Sequence, residues 1–165
     1  MLILTTLKQK DLASVTAEQL FNHHAASPIQ LTKYDAYSIN GNLDTESLRH
    51  IIESSYIFSN PNKHHVILDA TSPHLSQQAT YVHIQRKTPL SLTSKITQLH
   101  ALLGHCGIQH VMASTIWAFH AAIDAPTIMQ NYVMSSKDNV APLAHPLIHT
   151  VSHYSYDTLQ SIFRT

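Results

Sequence analysis

At 165 residues the chain suits one ordinary domain or two fused half-size units, and with 44% hydrophobic residues it can bury a core. Charged residues are scarce at 12%, and ten Lys+Arg offset ten Asp+Glu, so the clustered basic surface of a nucleic-acid binder is missing. Three glycines, Gly41, Gly104 and Gly107, cannot write either a G-x-G-x-x-G or a Walker A phosphate cradle.

The alternating apolar start reads as a first strand over residues 2–8 and, with no basic segment and no long apolar run, is not expected to be a secretory leader. Thr16 with Gln19 three residues on forms a capping box, opening a helix that runs towards His24. Residues 29–40 alternate again, with Leu31, Tyr37 and Ile39 at apolar positions. Asp44 N-caps a helix whose Leu48, Ile51, Ile52 and Tyr56 share a face, and Pro61 ends it before a strand at His65–Asp69. Residues 70–80 carry no strong period and read as a connector. Beyond them Val82–Arg86 is a strand, and Ile96, Leu99 and Leu103 stripe a helix. Val111–His120 is a further strand, Asp124 caps a helix with Pro126 in its first turn, and Pro146 closes that helix before a strand at Leu147–Tyr154.

The order of features repeats. Tyr37/Trp117, Ile39/Phe119, Leu43/Ile123 and Asp44/Asp124 match at an offset of 80 residues, as do Leu2/Val82 and Leu4/Ile84. Gln19-Leu20 matches Gln98-Leu99 and Pro28-Ile29-Gln30 matches Gly107-Ile108-Gln109 at 79, while Asn60-Pro61 through His64 matches His145-Pro146 through His149 at 85. The expected fold is α+β: two fused βαβαβ repeats, residues 1–69 and 81–165, joined by connector 70–80. Each repeat alone makes a thin core, so the two are expected to pack as one pseudo-dimeric domain, an antiparallel sheet with helices on one face.

Fourteen histidines invite a metal hypothesis. His145, His149 and His153 are spaced at four, but the region reads as a helix end entering a strand, where residues four apart lie ~13 Å apart. His100, His105 and His110 are spaced at five, off a single helical stripe, and the neighbours His23-His24 and His64-His65 point apart. The single cysteine, Cys106, cannot close an internal disulfide, and its Gly104-His105-Cys106-Gly107 setting brings the second glycine one residue early for a nucleophile elbow. The ten carboxylates include no close pair for acid–base work, Asp44 and Asp124 being better used as caps. No catalytic, cofactor or metal residue is nominated. The matches Tyr37/Trp117 and Ile39/Phe119 read as core, with a ligand pocket as the alternative.

The segment Tyr37-Ser-Ile39-Asn-Gly-Asn-Leu43 through Asp44 and Leu48 to Asn60-Pro61 resembles a pattern of the phosphoribosylformylglycinamidine synthase family, a strand leading through an acidic cap into a helix that ends in an Asn-Pro turn. Leu143-Ala-His145-Pro146 resembles the same helix-ending turn, and Val82-His-Ile84-Gln-Arg86-Lys87-Thr88-Pro89 is similar to the opening of that family's small PurS subunit. PurS is about half this length and dimerises, and two such units are fused at the amino terminus of the large single-chain synthases. The resemblance therefore implies a PurS-like covalent dimer in purine biosynthesis. Such a chain is a non-catalytic subunit that bridges synthetase and glutaminase components and can self-associate. Two other expectations stand beside it: a small-molecule-binding regulatory domain with a concave pocket at Tyr37, Trp117 and Phe119, and a metal protein built on the histidines. The expected location is cytoplasmic, with no cofactor and with neither membrane nor nucleic acid as partner.

Overall fold

Six strands form one open antiparallel sheet, β1 (Leu2–Leu7), β2 (Gln30–Gly41), β3 (His64–Ile67), β4 (Thr80–Arg86), β5 (Ile108–His120) and β6 (His149–Tyr154), in the order β3-β1-β2-β5-β4-β6. A computed structural model gives these positions and describes the chain outside residues 24, 26, 43, 90, 105–106, 135–142 and 164–165. Five helices accompany the sheet among the described residues: α1 (Leu12–Asn22), α2 (Thr45–Ser54), α3 (Thr93–Leu103), α4 (Ala125–Ile128) and α5 (Tyr156–Phe163). A π-helical turn, Met129–Val133, extends α4. The α+β class and the antiparallel sheet are as the periodicities predict.

The long β2–β5 pairing is the spine, running from Gln30 opposite His120 to Asn40 opposite His110. Side chains alternate across a strand, so register sorts them onto two faces. Ile3, Leu31, Ile39, Val82, Val111 and Phe119 point to one face; Leu2, Leu4, Tyr34, Ala36, Tyr81 and Ile116 point to the other. Leu2 and Leu4 thus lie on the opposite face from Val82 and Ile84, which corrects the pairing of those residues at an offset of 80.

On the first face the helices form two separate cores, and each draws on both halves of the chain. Ala17 and Phe21 of α1 pack with Leu31, Val82, Trp117, Phe119 and Ile128. Phe21 stacks on Phe119 with ring centres 6.4 Å apart and meets Tyr132 at 5.0 Å. At the other end Leu48 and Ile52 of α2 pack with Leu99 of α3 and with Ile3, Ile39 and Val111. Lys95 of α3 ties this end together, its Nζ donating to the Ile57 carbonyl and lying 5.2 Å from the Tyr37 ring centre and 4.9 Å from that of Phe58.

The opposite face departs from the expected one-sided arrangement. Leu159 of α5 packs there with Leu75 and Ala79 of the connector against Leu4, Tyr34 and Tyr81. Three tyrosine hydroxyls hold the connector: Tyr34 donates to the His74 carbonyl (2.7 Å), Tyr81 to that of Ser76 (2.9 Å) and Tyr156 to that of Ala70 (2.6 Å). Burial raises both Tyr34 and Tyr81, the latter to about 12, so these hydroxyls keep their protons and remain donors.

The helix starts divide into those that local chemistry announces and those it does not. Asp44 and Asp124 cap α2 and α4 as expected, accepting the amides of Ser47 (3.3 Å) and Thr127 (2.8 Å). For α1 the capping box at Thr16 is overturned: Asp11 is the N-cap, accepting from the Ser14 amide at 2.9 Å, and Thr16 lies inside the helix. Tyr56 falls beyond the end of α2 and is 68% exposed, so it leaves the predicted apolar stripe. Leu20 is exposed whereas Leu99 is fully buried, so that matched pair plays unlike parts.

Candidate functional site

Between the two helical cores no helix among the described residues covers the middle of the first face, where the side chains are charged or small. Along β2 the face reads Leu31, Lys33, Asp35, Tyr37, Ile39: two charges interrupt an apolar series. Opposite them β5 supplies Ala113 and Thr115, which leave room above the sheet. The result is a cleft of about 570 Å³, floored by Ala113 and Thr115 and walled by Tyr37, Ile84 and Trp117. Lys33, Asp35, Arg86 and His149 bring its polar groups. Lys33 Nζ lies 3.1 Å from Asp35 Oδ1. Burial, with the Asp35 charge adding to it, raises the Tyr37 phenol and keeps it protonated.

Of the residues singled out from the repeat, Ile39, Trp117 and Phe119 are buried in the cores as expected, Tyr37 is partly buried, and Tyr37 and Trp117 also line this cleft. Lys33, Asp35 and Arg86 were not singled out, although the break in the β2 alternation carried the signal for the first two. Leu43, Cys106, His105 and His24 lie outside the described residues.

Five other carboxylates have structural work. Asp11, Asp44 and Asp124 cap helices, Glu18 accepts from the Leu31 amide at 2.6 Å, and Asp69 accepts from the Thr71 amide at 3.0 Å. Among the described residues no group of three or more His, Cys, Asp or Glu side chains could hold a metal ion. His145 and His149 are engaged with the turn before β6: the Leu147 amide donates to His145 Nδ1 (3.2 Å) and the His145 amide to His149 Nδ1 (3.0 Å).

A serine–histidine pair sits on the opposite face, with His83 Nε2 2.8 Å from Ser114 Oγ and Nδ1 3.4 Å from the Tyr154 hydroxyl. A nucleophile needs an exposed hydroxyl and an oriented base. Here the second ring nitrogen meets a phenol and not a carboxylate, and Ser114 lies mid-strand, without the strained turn that presents an elbow serine. This pair reads as structural. Burial holds His83 below the usual imidazole range, and it does the same at His120, where Lys10 adds to the lowering and Glu18 opposes it. The unfolded chain therefore binds these protons more readily, and stability is complete above pH ~6.5 and declines as the pH falls below that value. The melting temperature is expected to drop between pH 7.5 and pH 5, and His83→Gln to flatten that dependence. An unchanged slope in the variant would remove His83 as a cause.

No helix among the described residues is long and apolar enough to cross a membrane. No protein-family model, curated protein or solved structure matches this chain.

Proposed function

We propose that the chain is a fused pseudo-dimer of two βαβαβ units and serves as a non-catalytic bridging subunit, or a paralogue of one, in the phosphoribosylformylglycinamidine synthase family. The supporting observation is a single scheme of matches that satisfies every strand register. Asp35 lies opposite Thr115, its own match at 80 residues, which would put a two-fold axis through that pair. Ile3 faces Tyr37 and Val82 faces Trp117, so the match at 80 in the central strands requires 79 between β1 and β4. Leu4 faces Ile67 and His83 faces Ser152, which then requires 85 between β3 and β6. That is the offset at which His64 and His149 correspond, and each takes a backbone amide four residues upstream on its Nδ1 at 3.0 Å. Lys8 donates to the Lys63 carbonyl, and Lys87 to that of Ile148, both at 2.8 Å.

The strand order also reads the same from either edge, as expected when two three-stranded units join through their second strands. A bridging role suits the open edges β3 and β6, and Leu147, 79% exposed, stands beside Ile148 in the turn before β6. The test is reconstitution of glutamine-dependent amidation from the same organism's synthetase and glutaminase components, with and without this chain. Stimulated turnover with co-elution as one complex is expected. No effect and no co-elution would sink the proposal.

A further inference from the structure

The cleft at the sheet centre is not the same in the two halves of the chain, and the difference has a chemical direction. By the strand-register matches, Thr5, Leu7 and His64 correspond to Ile84, Arg86 and His149. Thr5, Leu7 and His64 line a recess of about 60 Å³, and Leu7 also borders a separate one of about 340 Å³, whereas Ile84, Arg86 and His149 line the cleft of about 570 Å³. The roomier side is the one that carries a cation where the other has leucine. Among the described residues Arg86 has no carboxylate within ion-pair distance, while Lys33 is paired with Asp35. Formal charge in the cleft therefore sums to an excess of one cation.

His149 adds a directed donor. The His145 amide occupies its Nδ1, so the neutral ring carries its proton on Nε2. Tyr37 and Trp117 add aromatic surface to the lining, although Phe58 and Lys95 pack against the Tyr37 ring and Trp117 is mostly buried in the core. A volume of this size holds a small organic molecule and far exceeds what a lone inorganic ion fills.

We propose that this cleft binds a small ring-bearing anion, a carboxylate or phosphate monoester, with its acidic group on Arg86 and the His149 Nε2–H and its ring against Trp117 and Tyr37. The site stands whether or not the chain bridges synthase components, because it needs no partner.

Trp117 is the single tryptophan of the chain, so its emission reports the cleft directly. The full chain is titrated with phenyl phosphate, benzoate, inorganic phosphate and benzyl alcohol, by emission and by calorimetry. Saturable binding of phenyl phosphate or benzoate is expected, and the tighter of the two identifies the acidic group. Arg86→Gln, at an exposed position near the end of β4, is expected to weaken it about 10- to 100-fold, the worth of a charge-assisted hydrogen bond. No saturable binding of either ring anion up to about 10 mM, equivalent to less than ~3 kcal/mol, overturns the proposal. So does undiminished binding in Arg86→Gln with the circular dichroism unchanged. Inorganic phosphate or benzyl alcohol binding as tightly as the ring anions overturns the paired requirement for ring and charge.

Discussion

Phe119→Ala is expected to destabilise the chain by about 4 kcal/mol, a large fraction of the ~5–15 kcal/mol that a domain of this kind possesses. The ring is fully buried, stacks on Phe21 and sits in the core shared by α1, β2, β4, β5 and α4. Truncation removes its apolar contacts and leaves a cavity that neighbours fixed by the sheet fill poorly. The loss is not confined to the half that carries the mutation: α1 lies nearly a hundred residues upstream, yet Phe21 loses its stacking partner. Urea unfolding measures the total, and hydrogen exchange should show the amides of α1 opening together with those of β5. A loss below about 1 kcal/mol, or protection in α1 unchanged, would contradict the shared core.

Gly41→Ala is the second large effect, expected at about 3 kcal/mol from backbone strain and overpacking together. Where the last turn of β2 passes the first residues of β5, the register shifts between Asn40 and Gly41. Gly41 has φ +154°, and a Cβ there would sit 2.3 Å from the Gly107 carbonyl oxygen and 2.7 Å from Ile108 Cα. Gly107, at φ +65°, would bring its own Cβ within 3.0 Å of the Asn42 carbonyl oxygen. Both obstacles are backbone atoms at the ends of paired strands, which cannot rotate aside as a side chain would. Two of the three glycines are thus spent on one crossing. By contrast, a Cβ on Gly104 would meet nothing within 4 Å, so the strain there comes from its φ of +73° alone. Thermal melts of Gly41→Ala and Gly104→Ala should separate in that order, and equal losses would contradict the crowding at the crossing.

Sequence chemistry read well wherever one short segment decides the outcome. Asp44 and Asp124 were recognisable as caps because the acceptor and the amides it serves lie within three residues. At α1 the sequence alone points to Thr16 as the cap, but Asp11, in the short turn after β1, serves the Ser14 amide and the Thr16 motif is interior. Helix α5 went unrecognised, although Ser155, which accepts from the Thr158 amide at 3.2 Å, was its capping signal. The strand partners posed a different difficulty. A period of two shows that a strand has a buried face but not which face, and a slip of one residue exchanges them; that is how Leu2 came to be matched with Val82. Nor does a stripe such as Leu48, Ile51 and Ile52 name the helix that covers it, since α2 is covered by α3 from the other half. In the cleft the aromatic residues drew notice because they fit the expected repeat, and the charges did not because they do not fit it. At the expected offset of 80, Lys33 and Asp35 fall on Ala113 and Thr115, so likeness between the halves passes over these residues.

The crossing of helices between halves has a consequence for synthesis. Leu48 and Ile52 pack on Ile3 and Ile39 of their own half, but Leu99 completes that core only when α3 has left the ribosome, some 50 residues after α2 is complete, a wait of ~3–10 s at about 5–20 residues per second. Phe21 waits longer still, for Phe119 and Ile128. The nascent amino-terminal half therefore carries incompletely covered apolar helices until the second half emerges, so folding is expected to be completed only when most of the chain exists. A pause placed before α3 should expose that half to chaperones and proteases in proportion to its length, whereas a pause after Val133 should be far less harmful.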